Sequence, residues 1–212
     1  FKIRSLYMDD LIDKEGIGEL GSLSSVPIWP TPAVVHAAYQ RMGQNKTTFR
    51  FPEPFLLIDI GGATTDLHFS LESASPSHLN GVRGTRSYHR HVFTDLGVFA
   101  SKETALACML AHPRWYPFLK IVNGTTNRNF KTQLSENDID QILLFYGCFF
   151  LALDRLSHGH KLDVPQLDFQ KIRSIVVTGG ASQCLSPEIL TRITTLFLPI
   201  DQKLGISTFI DP

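Results

Sequence analysis

The chain has 212 residues, enough to bury one sizeable core, with 20 Lys and Arg against 20 Asp and Glu and a formal net charge of zero. That balance gives no electrostatic case for nucleic acid or an anionic membrane surface as partner, and no apolar run approaches the ~20 residues a membrane span needs. Three cysteines, an odd number, widely spaced and embedded in apolar surroundings (Cys108, Cys148, Cys184), argue against a disulfide framework. They point to a reduced, intracellular setting, taken as cytoplasmic, and no signal peptide is read at the start.

In chain order, Phe1 to Leu20 places Ile3, Leu6, Tyr7, Leu11, Ile12 and Ile17 near helical spacing, and a Ser/Pro-rich loop follows to Pro30. Thr31-Pro32 reads as an N-cap with a first-turn proline, opening a helix over Ala33 to Met42 with Gly43 as its cap. The lone His36 in that helix is expected to be packed or half exposed. Residues 1–50 are expected to form a helical N-terminal segment and residues 51–212 the main domain.

Phe55-Leu56-Leu57-Ile58 follows Pro54 and is too short for a helix, so it predicts a buried strand. Asp59 ends that run. A carboxylate at the tip of a buried strand is costly unless a cation meets it, and a hydrated metal ion is one such partner. Gly61-Gly62 comes next, and a glycine pair permits φ > 0 and lets a polyanion approach main-chain N–H groups. Ala63 adds little bulk, Thr64 and Thr65 add hydroxyls, and Asp66 can tie the turn or join a metal shell. A return strand then alternates Leu67, Phe69 and Leu71 with His68, Ser70 and Glu72. Taken alone, the same residues would also serve an ordinary hairpin turn.

A long Ser/Pro/Asn/Gly run, Ser73 to Gly84, predicts a loop, and Ser87 to Thr94 predicts a third strand with His89 and His91 on one face. No Cys, Asp or third His stands at ligand spacing to that pair. Asp95-Leu96-Gly97 ends the strand, either approaching a ligand or simply turning. Ser101 to His112 reads as a helix capped by Ser101, with Thr104, Ala105, Cys108 and Met109 toward the core, stopped by Pro113. Pro113 to Asn127 reads as irregular. The longest helix is expected from Ser135 to Ser157, apolar on most sides and therefore covered by neighbours. Ser174 to Ser182, SIVVTGGAS, is a second buried strand running into a Gly-Gly turn; the three strands from Phe55 to Thr94 should form an antiparallel meander and this one should add in parallel through the helical connection, with both Gly-Gly turns at the same edge of the sheet. Ser186-Pro187-Glu188 should start a helix through Phe197, and Lys203 to Ile210 a last strand.

The two Gly-Gly turns together resemble those of the actin, sugar-kinase and heat-shock-chaperone ATPase superfamily, where Asp-x-Gly-Gly-x-Thr-x-Asp is the second phosphate loop and V-x-x-G-G-x-S the adenosine loop. Within it the chain is most similar to the MutL-type accessory proteins of adenosylcobalamin-dependent glutamate mutase. The stretches that carry this are Pro30 to Val34, Asp59 to His68, Asp95-Leu96-Gly97 and Val177 to Ala181. The likeness covers nearly the whole chain but only the C-terminal half of such a protein, because the superfamily's first phosphate loop, D-x-G-x-T, has no counterpart here.

The resemblance implies a ribonuclease-H-like (actin-like ATPase) α/β domain with a mixed five-stranded sheet flanked by helices. It implies ATP and Mg²⁺ as ligands, with Gly61, Gly62, Ala63, Thr64 and Thr65 at the phosphates and Gly179, Gly180, Ala181 and Ser182 at the adenosine. Asp59 would hold the metal through water, and Asp59 and Asp66 would be the catalytic carboxylates for phosphoryl transfer to water. The partner would be a cobalamin-dependent mutase. An ATP-dependent small-molecule enzyme of the sugar-kinase or hydantoinase/oxoprolinase type, or a nucleotide-free scaffold, are the alternatives. The sequence does not give the oligomeric state.

Overall fold

The computed structural model describes residues 31–44, 54–72, 86–125, 140–158, 171–180, 182–197 and 207–210. The predicted N-terminal helix before Pro30, the loop over Ser73 to Gly84, the Ser135 helix start and Ala181 lie outside the described residues. The chain divides into two compact units, Phe1–Ala38 and Tyr39–Pro212. The described part of the first is the opening of helix α1, Thr31–Gln44. That helix includes Gly43, expected as its cap, and His36 within it is half-buried.

The second unit is built on a five-stranded mixed sheet. Its strands are β1, Phe55–Ile60, β2, Thr65–Glu72, and β3, Arg86–Phe93, followed by β4, Ser174–Thr178, and β5, Ser207–Ile210. The spatial order is β3-β2-β1-β4-β5. As the sequence predicts, β1, β2 and β3 form an antiparallel meander, and β4 joins β1 in parallel with Ile58 beside Val177 and Asp59 beside Thr178. Strand β5 continues the parallel half. Short connections permit the antiparallel pairs, whereas β1 and β4 are separated by the helical stretch that a parallel addition requires.

Alternation sorts the side chains. Leu56, Ile58 and Ile60 of β1, Leu67 and Phe69 of β2, Phe93 of β3 and Ile175 and Val177 of β4 belong to one continuous buried core. Four helices complete it: α2, Lys102–Leu110, α3, Trp115–Thr125, α4, Gln141–His158, and α5, Pro187–Thr194. Every residue from Leu143 to Leu153 of α4 is buried, which explains why its apolar residues run all round the helix. Gly147 lies where a Cβ would overlap the Met109 side chain of α2, so the two helices pack at close range. On the opposite sheet face, Tyr39 of α1 is buried, donates its hydroxyl to the Phe55 carbonyl at 2.8 Å and sets its ring edge-on to Phe55 and Tyr88.

Three expectations need correction. Pro113 to Asn127 is not irregular, because Trp115, Phe118, Leu119 and Val122 recur at i, i+3, i+4 and i+7 and bury a stripe of α3. Pro117 sits in the first turn, where no intrahelical N–H is needed. Thr104 of α2 is exposed, and Leu106 takes the core position beside Ala105 and Met109. Finally, Ser101 and Ser186 occupy N-cap positions but make no side-chain cap bond. The N–H of Ser186 instead donates to the Tyr146 hydroxyl of α4 at 2.8 Å, tying the start of α5 to the long helix.

Within the described start of α4, Asp140 caps the helix by accepting from the Ile142 N–H at 2.8 Å. The cysteines are free: Cys148 is buried, Cys108 half-buried and Cys184 exposed, the last against the expected apolar surroundings. Burial pushes the Cys148 thiol up to about 12, so it is an inert core group.

Candidate functional site

Because β1 and β4 are parallel neighbours, both Gly-Gly turns leave the sheet at the same edge, as predicted. They also touch. Gly179 has φ +102°, and a Cβ placed on it would lie 2.6 Å from Asp59 Oδ1 and 2.8 Å from the Ile60 carbonyl oxygen. Glycine is therefore required there twice, by conformation and by space. Gly180 is exposed, and among the described residues beyond its chain neighbours no atom lies within 4 Å of where its Cβ would stand. Ser182 is buried and donates its N–H to the Gly179 carbonyl at 2.9 Å, opening the 3₁₀ turn Ser182–Cys184.

The loop between β1 and β2 is held by its carbonyls. Gly61 donates its N–H to the Thr64 carbonyl at 2.9 Å, closing a four-residue turn. The Gly61 carbonyl accepts from Val98 at 3.2 Å, and the Gly62 carbonyl from Phe99 at 2.7 Å and Ala100 at 2.8 Å. Ser101 Oγ donates to the Ala63 carbonyl at 2.8 Å. Every carbonyl of the turn is thus engaged, while the N–H groups of Gly62, Ala63 and Thr64 have no hydrogen-bond partner among the described residues. Gly62 and Ala63 are exposed. Neither Gly61 nor Gly62 adopts the positive φ expected of the pair; Gly61 is tight because its Cβ would stand 3.1 Å from the Thr64 carbonyl oxygen.

The two aspartates differ. Asp59 and Asp66 face each other across the β1–β2 ladder. Asp66 is buried, takes Arg90 Nε at 2.9 Å and Arg90 Nη2 on Oδ1, and accepts the Thr64 hydroxyl on Oδ2 at 3.2 Å. Both its oxygens are engaged. The half-buried Asp59 carboxyl has no hydrogen-bond or ion-pair partner among the described residues. Burial pushes it above the usual 3.8, the neighbouring Asp66 adds to that, and Arg90 pulls it back. The Thr65 hydroxyl is buried and donates to the Leu96 carbonyl at 2.8 Å, so it faces the fold and not the loop mouth.

Asp95-Leu96-Gly97 buttresses this loop from behind. Asp95 accepts from Arg155 of α4 at 2.7 and 2.6 Å, Leu96 receives Thr65, and a Cβ on Gly97 would overlap backbone atoms of Gly62 and Ala63. The Arg155 hydrogen bonds hold the Asp95 carboxyl below its ordinary value. That contribution to stability is complete above pH ~4 and is lost as pH falls through the lower, folded value. Arg155→Met is therefore expected to flatten the loss of stability as pH falls below about 4, by about 1 kcal/mol or less because the pair is partly exposed. An acid melting series of both proteins checks it, and identical slopes would refute it.

Arg90, Arg155 and the Val98–Ser101 backbone were not readable as site components, since each acts through a tertiary pairing. His89 stacks on Phe69 and His91 meets Phe93 edge-on, so both pack against core aromatics. Among the described residues, no group of three or more His, Cys, Asp or Glu could hold a metal ion. No helix among them is long and apolar enough to cross a membrane.

A family model described as MutL protein matches residues 2–135, more than half of the chain and inclusive of the whole β1–β2 loop and its buttress. The chain belongs to the MutL family. Protein MutL of Clostridium tetanomorphum is 32% identical over 76 residues, which are 36% of this chain and 16% of that protein. The similarity thus spans a small part of that relative's length. The MutL-family match ends before β4, so the second Gly-Gly turn joins the site through the β1–β4 pairing in the structure.

Proposed function

We propose that this MutL-family chain holds ATP with Mg²⁺ and serves as part of an accessory protein to an adenosylcobalamin-dependent glutamate mutase. The observation that carries this reading is the run of N–H groups at Gly62, Ala63 and Thr64 that have no partner among the described residues, beside the Asp59 carboxylate, which has none among them either. Successive main-chain amides of a turn, left free of other partners, make an anion-binding concavity, and phosphate oxygens are an anion it accommodates. Strand order β3-β2-β1-β4-β5, with its antiparallel meander and parallel half, supports a ribonuclease-H-like, actin-like class for the domain.

The donor set suits Mg²⁺. This ion keeps much of its water shell and is commonly held by one or two carboxylates together with phosphates, so Asp59 suffices where no larger ligand cluster is present among the described residues. Bound there, Mg²⁺ would neutralise phosphate charge. Asp59 would hold its hydration water and orient the water that attacks the terminal phosphorus. Asp66, with both oxygens taken, keeps Thr64 in place. The amides of Gly62, Ala63 and Thr64 bind phosphate oxygens, and the open face of Gly180 gives the adenosine a flat approach. Catalysis of this kind rests on positioning and charge compensation, with no covalent protein intermediate.

The chain contributes one phosphate loop and one adenosine turn, so we expect weak binding, with Kd in the millimolar range or about −4 kcal/mol, and no steady phosphate release by this chain alone. Calorimetric titration of ATP with and without Mg²⁺, followed by a phosphate-release assay, tests this. Absence of Mg²⁺-dependent binding at millimolar ATP would overturn the nucleotide reading. Co-purification with a glutamate mutase, strengthened by ATP, is the expected result for the partner.

A further inference from the structure

We infer that Arg90 is a positioning residue for the phosphate loop, acting through Asp66 on Thr64; this rests on the nucleotide reading above. Three links carry it. Arg90 on β3 lies one strand away from Asp66, opposite His68, and its guanidinium reaches diagonally to grip Asp66 Oδ1 with Nε and Nη2. Such a two-donor grip fixes the carboxylate plane as a single lysine ammonium cannot. The remaining oxygen, Oδ2, then accepts the Thr64 hydroxyl. Thr64 is the residue whose carbonyl closes the turn by accepting from Gly61, and its own N–H is one of the three loop donors without a partner among the described residues. The orientation of the loop amides is thereby set from β3, two strands away from the glycines.

A second consequence concerns charge. Asp59 and Asp66 stand opposite each other, and like charges directly across a ladder repel. Pairing Asp66 with Arg90 leaves Asp59 as the one of the two without an ion-pair partner among the described residues, where a second such carboxylate would oppose triphosphate entry. Among the described residues, the hydrogen bonds of Arg90 go to Asp66 alone, so its influence on a ligand is indirect.

The test is a double-mutant cycle on the whole chain, with inorganic pyrophosphate and Mg²⁺ as probe and the ¹H–¹⁵N signals of Gly62, Ala63 and Thr64 as a second readout. Arg90→Ala is expected to weaken pyrophosphate about tenfold, the order of one charge-assisted hydrogen bond, and to shift or broaden the three amide signals in the free protein. Thr64→Val should cause the same loss, and adding Arg90→Ala to it should cost little more. Thr64→Ser, which keeps the hydroxyl, should restore the full Arg90 effect. Additive losses, or unchanged amide signals in Arg90→Ala, would overturn the inference. Should Arg90→Ala fail to fold, Arg90→Lys takes its place in the same cycle, with a smaller loss of the same sign expected. If the unmutated chain binds neither pyrophosphate nor nucleotide, the nucleotide reading fails, yet the amide signals of the free variants still decide whether Arg90 orders the loop.

Discussion

Asp59→Asn is expected to raise the melting temperature of the free chain and to abolish the part of ligand stabilisation that depends on Mg²⁺. Both effects come from the same carboxyl. Half-buried and opposite Asp66, it has its charged form disfavoured, since burial and then Asp66 push its proton affinity above the ordinary 3.8. The sign follows directly. A carboxyl whose folded value is raised binds more protons folded than unfolded, so stability falls as pH rises from 3.8 through the folded value and stays reduced above it. An isosteric amide removes that loss at pH 7, and the free variant should melt higher. At a nucleotide concentration about tenfold above Kd, one-site linkage adds about 1.4 kcal/mol, worth roughly 3–5 °C in a domain of this size. That shift should require Mg²⁺ in the parent and be the same with or without it in Asp59→Asn. An unchanged free melting temperature together with an intact Mg²⁺-dependent shift would place the cation elsewhere. Groups set for function commonly oppose stability in this way.

How far the sequence could be read depends on whether the physics was local. Phe55 to Ile58 and Ile175 to Val177 are short apolar runs bounded by turn residues, and such runs announce buried strands without any knowledge of their neighbours. The parallel pairing of β1 with β4 followed from the long helical stretch between them, and with it the meeting of the two Gly-Gly turns at one edge. Helix α3 is just as local, but its Trp115, Phe118, Leu119, Val122 stripe lies directly behind the break that His112-Pro113 makes in the chain and is hidden by it. The site itself was legible as residue types and less so as roles. Asp59 and Asp66 look alike in the string Asp-Ile-Gly-Gly-Ala-Thr-Thr-Asp, and only the register of β3 reveals that Arg90 occupies one of them and leaves the other open. Thr64 and Thr65 are likewise adjacent and equivalent on paper, yet Thr65 opens β2 and sends its hydroxyl inward to Leu96, whereas Thr64, still in the loop, gives its hydroxyl to Asp66. Gly97 read as a strand end, and its place under the loop needed the fold.

Gly97→Ala is expected to be the most damaging single methyl group that can be added near the site. Its Cβ would overlap the carbonyl carbon and oxygen of Ala63 and approach the Gly62 carbonyl oxygen, and all of these are backbone atoms that cannot rotate away. Those carbonyls are also the anchors of the loop: Gly62 accepts from Phe99 and Ala100, and Ala63 from Ser101. Relief of the overlap must therefore lift the loop and break hydrogen bonds, where a flexible side chain would simply have turned aside. Overpacking of this kind costs about 1–3 kcal/mol, and each broken bond adds about 1 kcal/mol. A drop in melting temperature of roughly 5–15 °C follows for a chain of this length. Gly124→Ala is the matched control, because no atom of the described residues outside its own helix backbone lies within 4 Å of its Cβ position on α3 and a helical alanine is favoured over glycine by about 1 kcal/mol. The lifted loop should also lose Mg²⁺-dependent nucleotide binding at temperatures well below the melt, since Gly62, Ala63 and Thr64 would no longer present their N–H groups together. Melting within 2 °C of the parent, about the shift of a fraction of a kcal/mol, would mean that the 96–100 segment yields and does not hold the loop.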